Sequence, residues 1–403
     1  MLSFCRLVGC YLAVFWLFTA CVDPEDLGLL DKLDVIVVDG TITSLAEPQI
    51  IHLKQSKSVS GLPGSVPITK ATVDVVVDSG QVIAAHETTE GNYQLPNDFK
   101  GQIGHRYQLR FMLSDGTRYQ STPEVMHPVP PIVQVRAQFN PTSISPPLAG
   151  YYTAGHDLFI DTQDPPGQSN YYRWEWTLYE KQDWCRSCPQ ALYLVWDRTD
   201  SYLAEECDRP DQIPGADYFV NDYPCRTACW QHIYSSAINV FSDQYSNGGR
   251  IVKRNVGQIP FYDHSGALVE LRQTSLTSSA YTYFKRFQDQ TQHTGGLADT
   301  PPSVPAGNVH NVTNKQEVIV GYFTASAVDK VPYWLDRKDT QGIPPGLFQA
   351  LNGRDPSAEG ELYLGKTKPL ISIPKSKYYD RPPTALCVPS ESRTPFKPIG
   401  WRD

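Results

Sequence analysis

The chain predicts a mostly β fold: a small N-terminal β-sandwich, then a second β-rich domain carrying a disulfide-rich insertion and one amphipathic helix. Three observations lead there. Short β-branched and aromatic runs alternate with turn residues, and 33 prolines, 28 glycines and 23 tyrosines accompany only 3 methionines. Six cysteines remain once an export signal and a lipidation site are set aside. One segment alone repeats apolar residues at helical spacing.

The export signal opens the chain. Arg6 precedes the uncharged 12-residue run Leu7 to Phe18 (LVGCYLAVFWLF). A membrane-spanning helix needs about 20 apolar residues, so this run suits the core of a signal peptide. Thr19-Ala20-Cys21 resembles the bacterial lipobox, with Phe18 where that pattern most often has Leu. There the cysteine takes a diacylglycerol and cleavage follows just before it. Residues 1–20 therefore read as a signal peptide, Cys21 as the lipid-bearing first residue, and 21–33 as a tether. The expected mature start, Cys21-Val22-Asp23-Pro24-Glu25-Asp26, holds three carboxylates. Such a run resembles the signal that sends Bacteroidota lipoproteins to the outer face of the outer membrane.

Net charge is −8, and removing Arg6 with the signal makes it −9 (34 basic, 43 acidic). No polybasic stretch assists anchoring, so acyl chains must hold the protein by themselves. The acidic balance argues against nucleic acid as a partner.

The first sandwich is expected over 34–127. Val35–Val38, Thr41–Thr43, Gln49–Leu53, Ala71–Val77, Gln81–Ala85 and Tyr93–Leu95 read as strands, with Asp39-Gly40 as a turn. Tyr107–Leu113 and Thr117–Ser121 flank Ser114-Asp115-Gly116 as a hairpin. His127-Pro128-Val129-Pro130-Pro131 then makes a stiff connector, with 128–131 as the linker.

The second β-rich domain is expected over 132–335. Its strongest strand is Tyr171–Tyr179, where Tyr172, Trp174, Trp176 and Leu178 share one face. Ala237–Phe241, Ile251–Val256, Ala267–Thr274 and Glu317–Ala327 follow as strands. In the one helix, Ser278 caps and Ala280, Tyr283, Phe284 and Phe287 form a packing stripe ahead of Gly295-Gly296. Residues 336–403 read as loop-rich.

The insertion 181–232 is too polar for a core of its own. Cys185, Cys188, Cys207, Cys225, Cys229 and Cys387 form an even set, which in an exported chain reads as three disulfides with 15 possible connectivities. Cys185-x-x-Cys188 and Cys225-x-x-x-Cys229 also have zinc-ligand spacing. The oxidising compartment and the additional Cys207 favour disulfides, with no metal. Five of the six lie in 185–229, so one bridge is expected to reach Cys387. Aromatics crowd this segment: Trp184, Tyr193, Trp196, Tyr202, Tyr218, Tyr223 and Trp230. They either pack around the disulfides or present a recognition surface, for which Trp184, Trp196, Tyr202, Tyr223 and Trp230 are the candidates.

Catalytic motifs are weak. Gly360–Thr367 matches G-x-x-x-x-G-K-[ST], but Pro369 and Pro374 interrupt the helix that a phosphate loop requires. His86-Glu87 lacks the second histidine of H-E-x-x-H, and no G-x-S-x-G is present. No catalytic residue and no cofactor is expected.

Six segments in order resemble one family: Val38-Asp39-Gly40-Thr41-Ile42, Pro128–Ile132, Cys229-Trp230, Tyr281-x-Tyr283-Phe284, Gly307–Asn311 and Val320–Ser326. The chain resembles a Bacteroidota outer-membrane lipoprotein family described only as a domain of unknown function (the domain-of-unknown-function 4249 family). The resemblance implies an immunoglobulin-like N-terminal region and a gene often beside a SusC-like TonB-dependent transporter. It carries over no catalytic residues. The expected role is a non-enzymatic binding or accessory subunit of such a transporter. A stand-alone surface carbohydrate-binding lipoprotein is the alternative, followed by a hydrolase with a nonlocal site.

The lipobox reading has a direct check. Intact mass of the membrane-extracted protein should match a chain starting at a diacylglycerol-bearing Cys21, and Cys21→Ala should remove the acyl mass and release the protein from the membrane fraction.

Overall fold

Alternate burial builds the first strand: Ile36, Val38, Gly40 and Ile42 face inward along Ile36–Thr43, with Asp39 outward. The computed structural model describes residues 35–59, 62–144, 153–199, 202–208, 220–292, 305–354 and 384–403. The signal peptide, Cys21, the tether, Tyr218 and the phosphate-loop match at 360–367 lie outside the described residues.

Asp39-Gly40 is not a turn but the middle of that strand. Turn chemistry gives way because the strand is paired on both sides. Ile50–Val59 runs antiparallel along one edge and Ile319–Ser326 runs parallel along the other. Gly40 is also tight, since a Cβ there would lie 3.1 Å from Ile51 Cγ1.

The remaining strands continue the sheet from Ile50–Val59. Asn92–Gln94 leads to Gln81–Thr89, then Thr72–Val77, Arg106–Met112, Arg118–Ser121 and Val309–Asn311. Gln81–Thr89 serves both halves: its first residues pair with Thr72–Val77 and its last with Asn92–Gln94. The halves share one core. Val38, Ile42, Ile51 and Leu53 from one side meet Val75, Leu109, Phe111 and Tyr107 from the other. Full burial of each such side chain contributes about 1.5–3 kcal/mol.

A second sandwich sets a three-stranded sheet over a six-stranded one. The three strands are Ile132–Ile144, Thr153–Gln163 and Arg250–Pro260. The larger sheet centres on Tyr171–Lys181, flanked by Ala267–Leu276 and Val328–Leu335 on one side and by Trp230–Tyr234 and Arg393–Thr394 on the other; Asn239–Ser242 also pairs with the central strand. Leu158, Ile160 and Ile259 pack on Trp174, Leu178, Val269 and Leu271. Tyr172, Trp174 and Leu178 are buried as the alternation predicts, and Trp176 is partly buried beside them.

The chain crosses between sandwiches more than once. Val309–Asn311 and Ile319–Ser326 fall within the expected second domain, 132–335, yet they belong to the first sheet. After Ala327 the same extended run enters the second sandwich as Val328–Leu335, paired with Ala267–Leu276. The proline linker is held rather than loose: Ser275, Gln273 and Thr162 donate side-chain hydrogen bonds to the carbonyls of His127, Pro130 and Pro131.

The helix Ser278–Gln292 forms as predicted, but its cap is Thr277, whose hydroxyl accepts the Ala280 N–H at 3.2 Å. Ser278 is already the first helical residue. Tyr283 and Phe284 pack on Tyr322, with centroids 4.9 and 6.0 Å away, so the aromatic stripe is a packing face.

Gly321 sits at φ +96°, and a Cβ there would lie 1.9 Å from the Val38 carbonyl oxygen. Gly321→Ala should therefore lower stability by at least about 2–3 kcal/mol, read as a fall in thermal midpoint.

Candidate functional site

The insertion folds around its disulfides. Trp184–Pro189 pairs with Val220–Pro224, and Leu192–Thr199 pairs with Tyr202–Asp208. Cys185 joins Cys225, Cys188 joins Cys207, and Cys229 joins Cys387. The bridge expected to Cys387 thus starts from Cys229. The sulfurs of Cys185, Cys225 and Cys229 lie within 4.8 Å of one another, but each is in a disulfide and offers no thiolate to a metal.

The expectation that this segment lacks a core is corrected. The half-cystines pack with Ala191, Tyr193, Tyr223 and Ala385 into a small buried cluster. The Tyr223 hydroxyl accepts the Tyr193 N–H at 3.0 Å, and Asn221 donates to the Ala191 carbonyl at 2.7 Å. Cysteine supplies here the apolar volume that a hydropathy reading assigned to no residue.

The tail is stitched to the same module. Beyond Cys387, Arg393–Thr394 adds a short strand beside Trp230–Gln231, and Arg393 donates to the Cys185 carbonyl at 2.7 Å. The Cys229–Cys387 bridge spans 158 residues. On the chain-entropy account a crosslink of that span restrains the unfolded chain by about 5 kcal/mol.

Between module, second sandwich and tail lies a cleft of about 1010 Å³. Five aromatic residues line it: Trp184, Tyr223, Trp334, Phe348 and Trp401. Trp184 meets Phe348 edge to face at 4.8 Å, and Trp334 meets Trp401 at 5.2 Å. Gly266 makes room for this, because a Cβ there would lie 2.4 Å from Trp334 Cζ2. Phe348 comes from the short helix Leu347–Asn352 and carries the Arg354 guanidinium 5.0 Å above its ring. Arg354 in turn donates to both Asp222 oxygens.

Under the cleft lies a buried ion pair. The Arg337 guanidinium donates twice to the Glu180 carboxylate and once to the Ser265 carbonyl at 3.0 Å. Both side chains are essentially without solvent contact. Burial pushes the Glu180 carboxyl above its ordinary range, against the guanidinium that pulls it down.

The aromatic candidates divide between the two readings. Tyr223 and Trp230 are buried packing residues, and Trp230 reaches the cleft only through its contact with Trp401 at 5.9 Å. Trp184 is part-exposed on the cleft wall, and Tyr223 closes its inner side. Trp196 and Tyr202 lie on the hairpin Leu192–Thr199 and Tyr202–Asp208, and their side chains fall outside the described residues. Sequence reading missed Trp334, Phe348 and Trp401. Phe348 and Trp401 fall in the segment read as loop-rich, and Trp334 lies on the strand Val328–Leu335, which the residue pattern did not pick out.

Fold and cleft together define a class: a double β-sandwich protein with a disulfide-stapled module forming one wall of an aromatic cleft. The chain belongs to the family described as "Domain of unknown function (DUF4249)", which matches residues 22–331. No curated protein and no solved structure matches the chain. Trp334, Phe348 and Trp401 all follow the last matched residue, so the cleft lies only partly within the family region.

Arg337→Leu leaves Glu180 buried without its partner and should cost about 3–5 kcal/mol, measured by denaturant unfolding. The paired Glu180→Met, Arg337→Leu variant should recover most of that loss.

Proposed function

We propose that this chain is a surface-anchored outer-membrane lipoprotein, without catalysis of its own, that binds a ligand in the tryptophan-lined cleft. In this reading it serves as an accessory subunit of a SusC-like TonB-dependent transporter. The cleft carries the proposal. Part-exposed tryptophans on a rigid frame lose little entropy on contact, which suits capture rather than turnover. Two of the carboxylates that line the cleft are tied up: Glu180 is held by Arg337 and Asp222 by Arg354. Lipidation at Cys21 would keep this cleft at the membrane face where substrates enter.

The tryptophans also favour the second reading, a carbohydrate-binding lipoprotein acting alone. Partner capture separates the two. Mild-detergent affinity purification from native outer membranes should co-elute a TonB-dependent barrel in near-stoichiometric amount. Recovery of the lipoprotein with no barrel would count for the solitary reading.

A further inference from the structure

We propose that two bridges of the module form a thiol-exchange relay: an external thiol acting at Cys225 moves the Cys229 crosslink from Cys387 to Cys185 and so releases the tail. The inference is independent of what the cleft binds. Three observations carry it.

The first is proximity. Cys185–Cys225 and Cys229–Cys387 are separate bridges, yet the sulfurs of Cys185, Cys225 and Cys229 lie within 4.8 Å of one another. The backbone fixes that approach. The Cys225 N–H donates to the Asp183 carbonyl at 2.7 Å, and the Gln182 N–H donates to the Cys229 carbonyl at 3.0 Å. The chain leading into Cys185 is thereby held against the segments of both bridges. A thiolate at Cys185 starts beside a sulfur of the other bridge.

The second is graded access. Cys185 and Cys229 are each 1% exposed and Cys387 is 7% exposed, whereas Cys225 is part-exposed just after the strand Val220–Pro224. A solution thiol therefore meets the first bridge at Cys225, and the sulfur it displaces is the enclosed Cys185.

The third is charge. Exchange runs through the thiolate, which cationic surroundings stabilise. The Arg393 guanidinium donates to the Cys185 carbonyl at 2.7 Å, and its Nε is buried with no acceptor among the described residues. Arg186 Nε stands 3.3 Å from Cys207 Sγ. Burial, and then the charge of Arg186, hold the Arg393 pKa below its ordinary value. The module's carboxylates Glu205 and Asp222 are already paired, with Arg226 and Arg354.

The steps balance. An external thiolate attacks Cys225 Sγ, the Cys185–Cys225 bond breaks, and Cys185 leaves as a thiolate while Cys225 keeps the incoming thiol as a mixed disulfide. The Cys185 thiolate then attacks Cys229 Sγ. The Cys229–Cys387 bond breaks, and Cys387 leaves as a thiolate and takes a proton from water. Two disulfides and one thiol become two disulfides and one thiol, with no net oxidation. Cys229–Cys387 ties the module to the tail that carries Arg393 and the cleft residue Trp401, so the exchange unfastens one wall of the cleft.

The test uses the membrane-extracted protein in detergent and reduced glutathione as the thiol, with acid quench, alkylation and non-reducing peptide mapping. Early products should carry glutathione on Cys225, a Cys185–Cys229 disulfide and an alkylated Cys387. Hydrogen exchange of the tail amides over 385–401 should then run at least tenfold faster than in untreated protein. Cys225→Ser leaves Cys185 without its native partner, and the isolated variant should also show Cys185 joined to Cys229 with Cys387 free. Alkylated Cys185 beside an intact Cys229–Cys387 bridge, in either sample, would overturn the relay, and so would a native protein inert to glutathione. Should Cys225→Ser fail to fold, the glutathione map of the unaltered chain decides alone. A Cys185–Cys229 bridge with tail exchange unchanged would overturn the release of the tail.

Discussion

The parallel pairing of Ile36–Thr43 with Ile319–Ser326 is the constraint on which the rest of the structure depends. It joins segments about 280 residues apart, as the Thr41–Thr324 hydroxyl contact at 2.8 Å illustrates. Parallel strands need a crossover connection, and here that connection, residues 44–318, carries most strands of both sandwiches and the paired strands of the disulfide module. Closing so long a loop carries a large entropic cost, which grows only slowly with further length. Gly321 lets the two backbones approach, and Gly307 does the same on the other side of Gly321, where a Cβ would lie 1.8 Å from the Gly321 carbonyl oxygen.

Around that pairing the joint between sandwiches is polar and fully bonded at its centre. Glu124 is buried, and accepts hydrogen bonds from Thr277 at 2.5 Å, Tyr322 at 3.0 Å and Asn308 at 3.3 Å. Burial nevertheless raises its pKa. Asn308 also clamps Phe323 through both its N–H and its carbonyl. Toward the rim, Arg272 reaches across to Glu47 with two bonds of 2.7 and 2.9 Å. Most segments that carry the family resemblance meet here: the Val38 strand, the proline linker, the Tyr283-Phe284 helix face, Asn308 and the Gly321 strand. Their shared work is to hold two sandwiches in one orientation.

The cleft is built on that frame by different means. Its walls come from a disulfide module, a short helix and the tail, none of which has a large apolar core. Covalent bridges replace hydrophobic area there, as small exported domains commonly arrange. The consequence for function is rigidity at low sequence cost. Loop-borne tryptophans cost entropy to order, whereas Trp184 on the stapled module and Trp334 on a sheet strand are already placed.

Much of the architecture was legible from residue pattern. Short β-branched runs located most strands of the first sandwich, Leu62–Pro67, Glu124–Val125 and Val309–Asn311 apart, and period-two alternation located the central strand Tyr171–Lys181, because one buried face requires that period. The cysteine count correctly implied three bridges and a link to Cys387. Local chemistry misled where a long-range partner outweighed it: Asp39-Gly40 reads as a turn until strands flank it on both sides. The order of strands, the return of Ile319–Ser326 to the first sheet, and the pairing of Cys229 with Cys387 were decided only by the tertiary structure. So was the meeting of Trp184, Trp334 and Trp401, which are separated by up to 217 positions in the sequence. Periodicity records which face of a strand is buried, since that depends on neighbours within a few residues. It does not record which distant surface buries it, because that choice is made by the shape and hydrogen bonding of segments far along the chain.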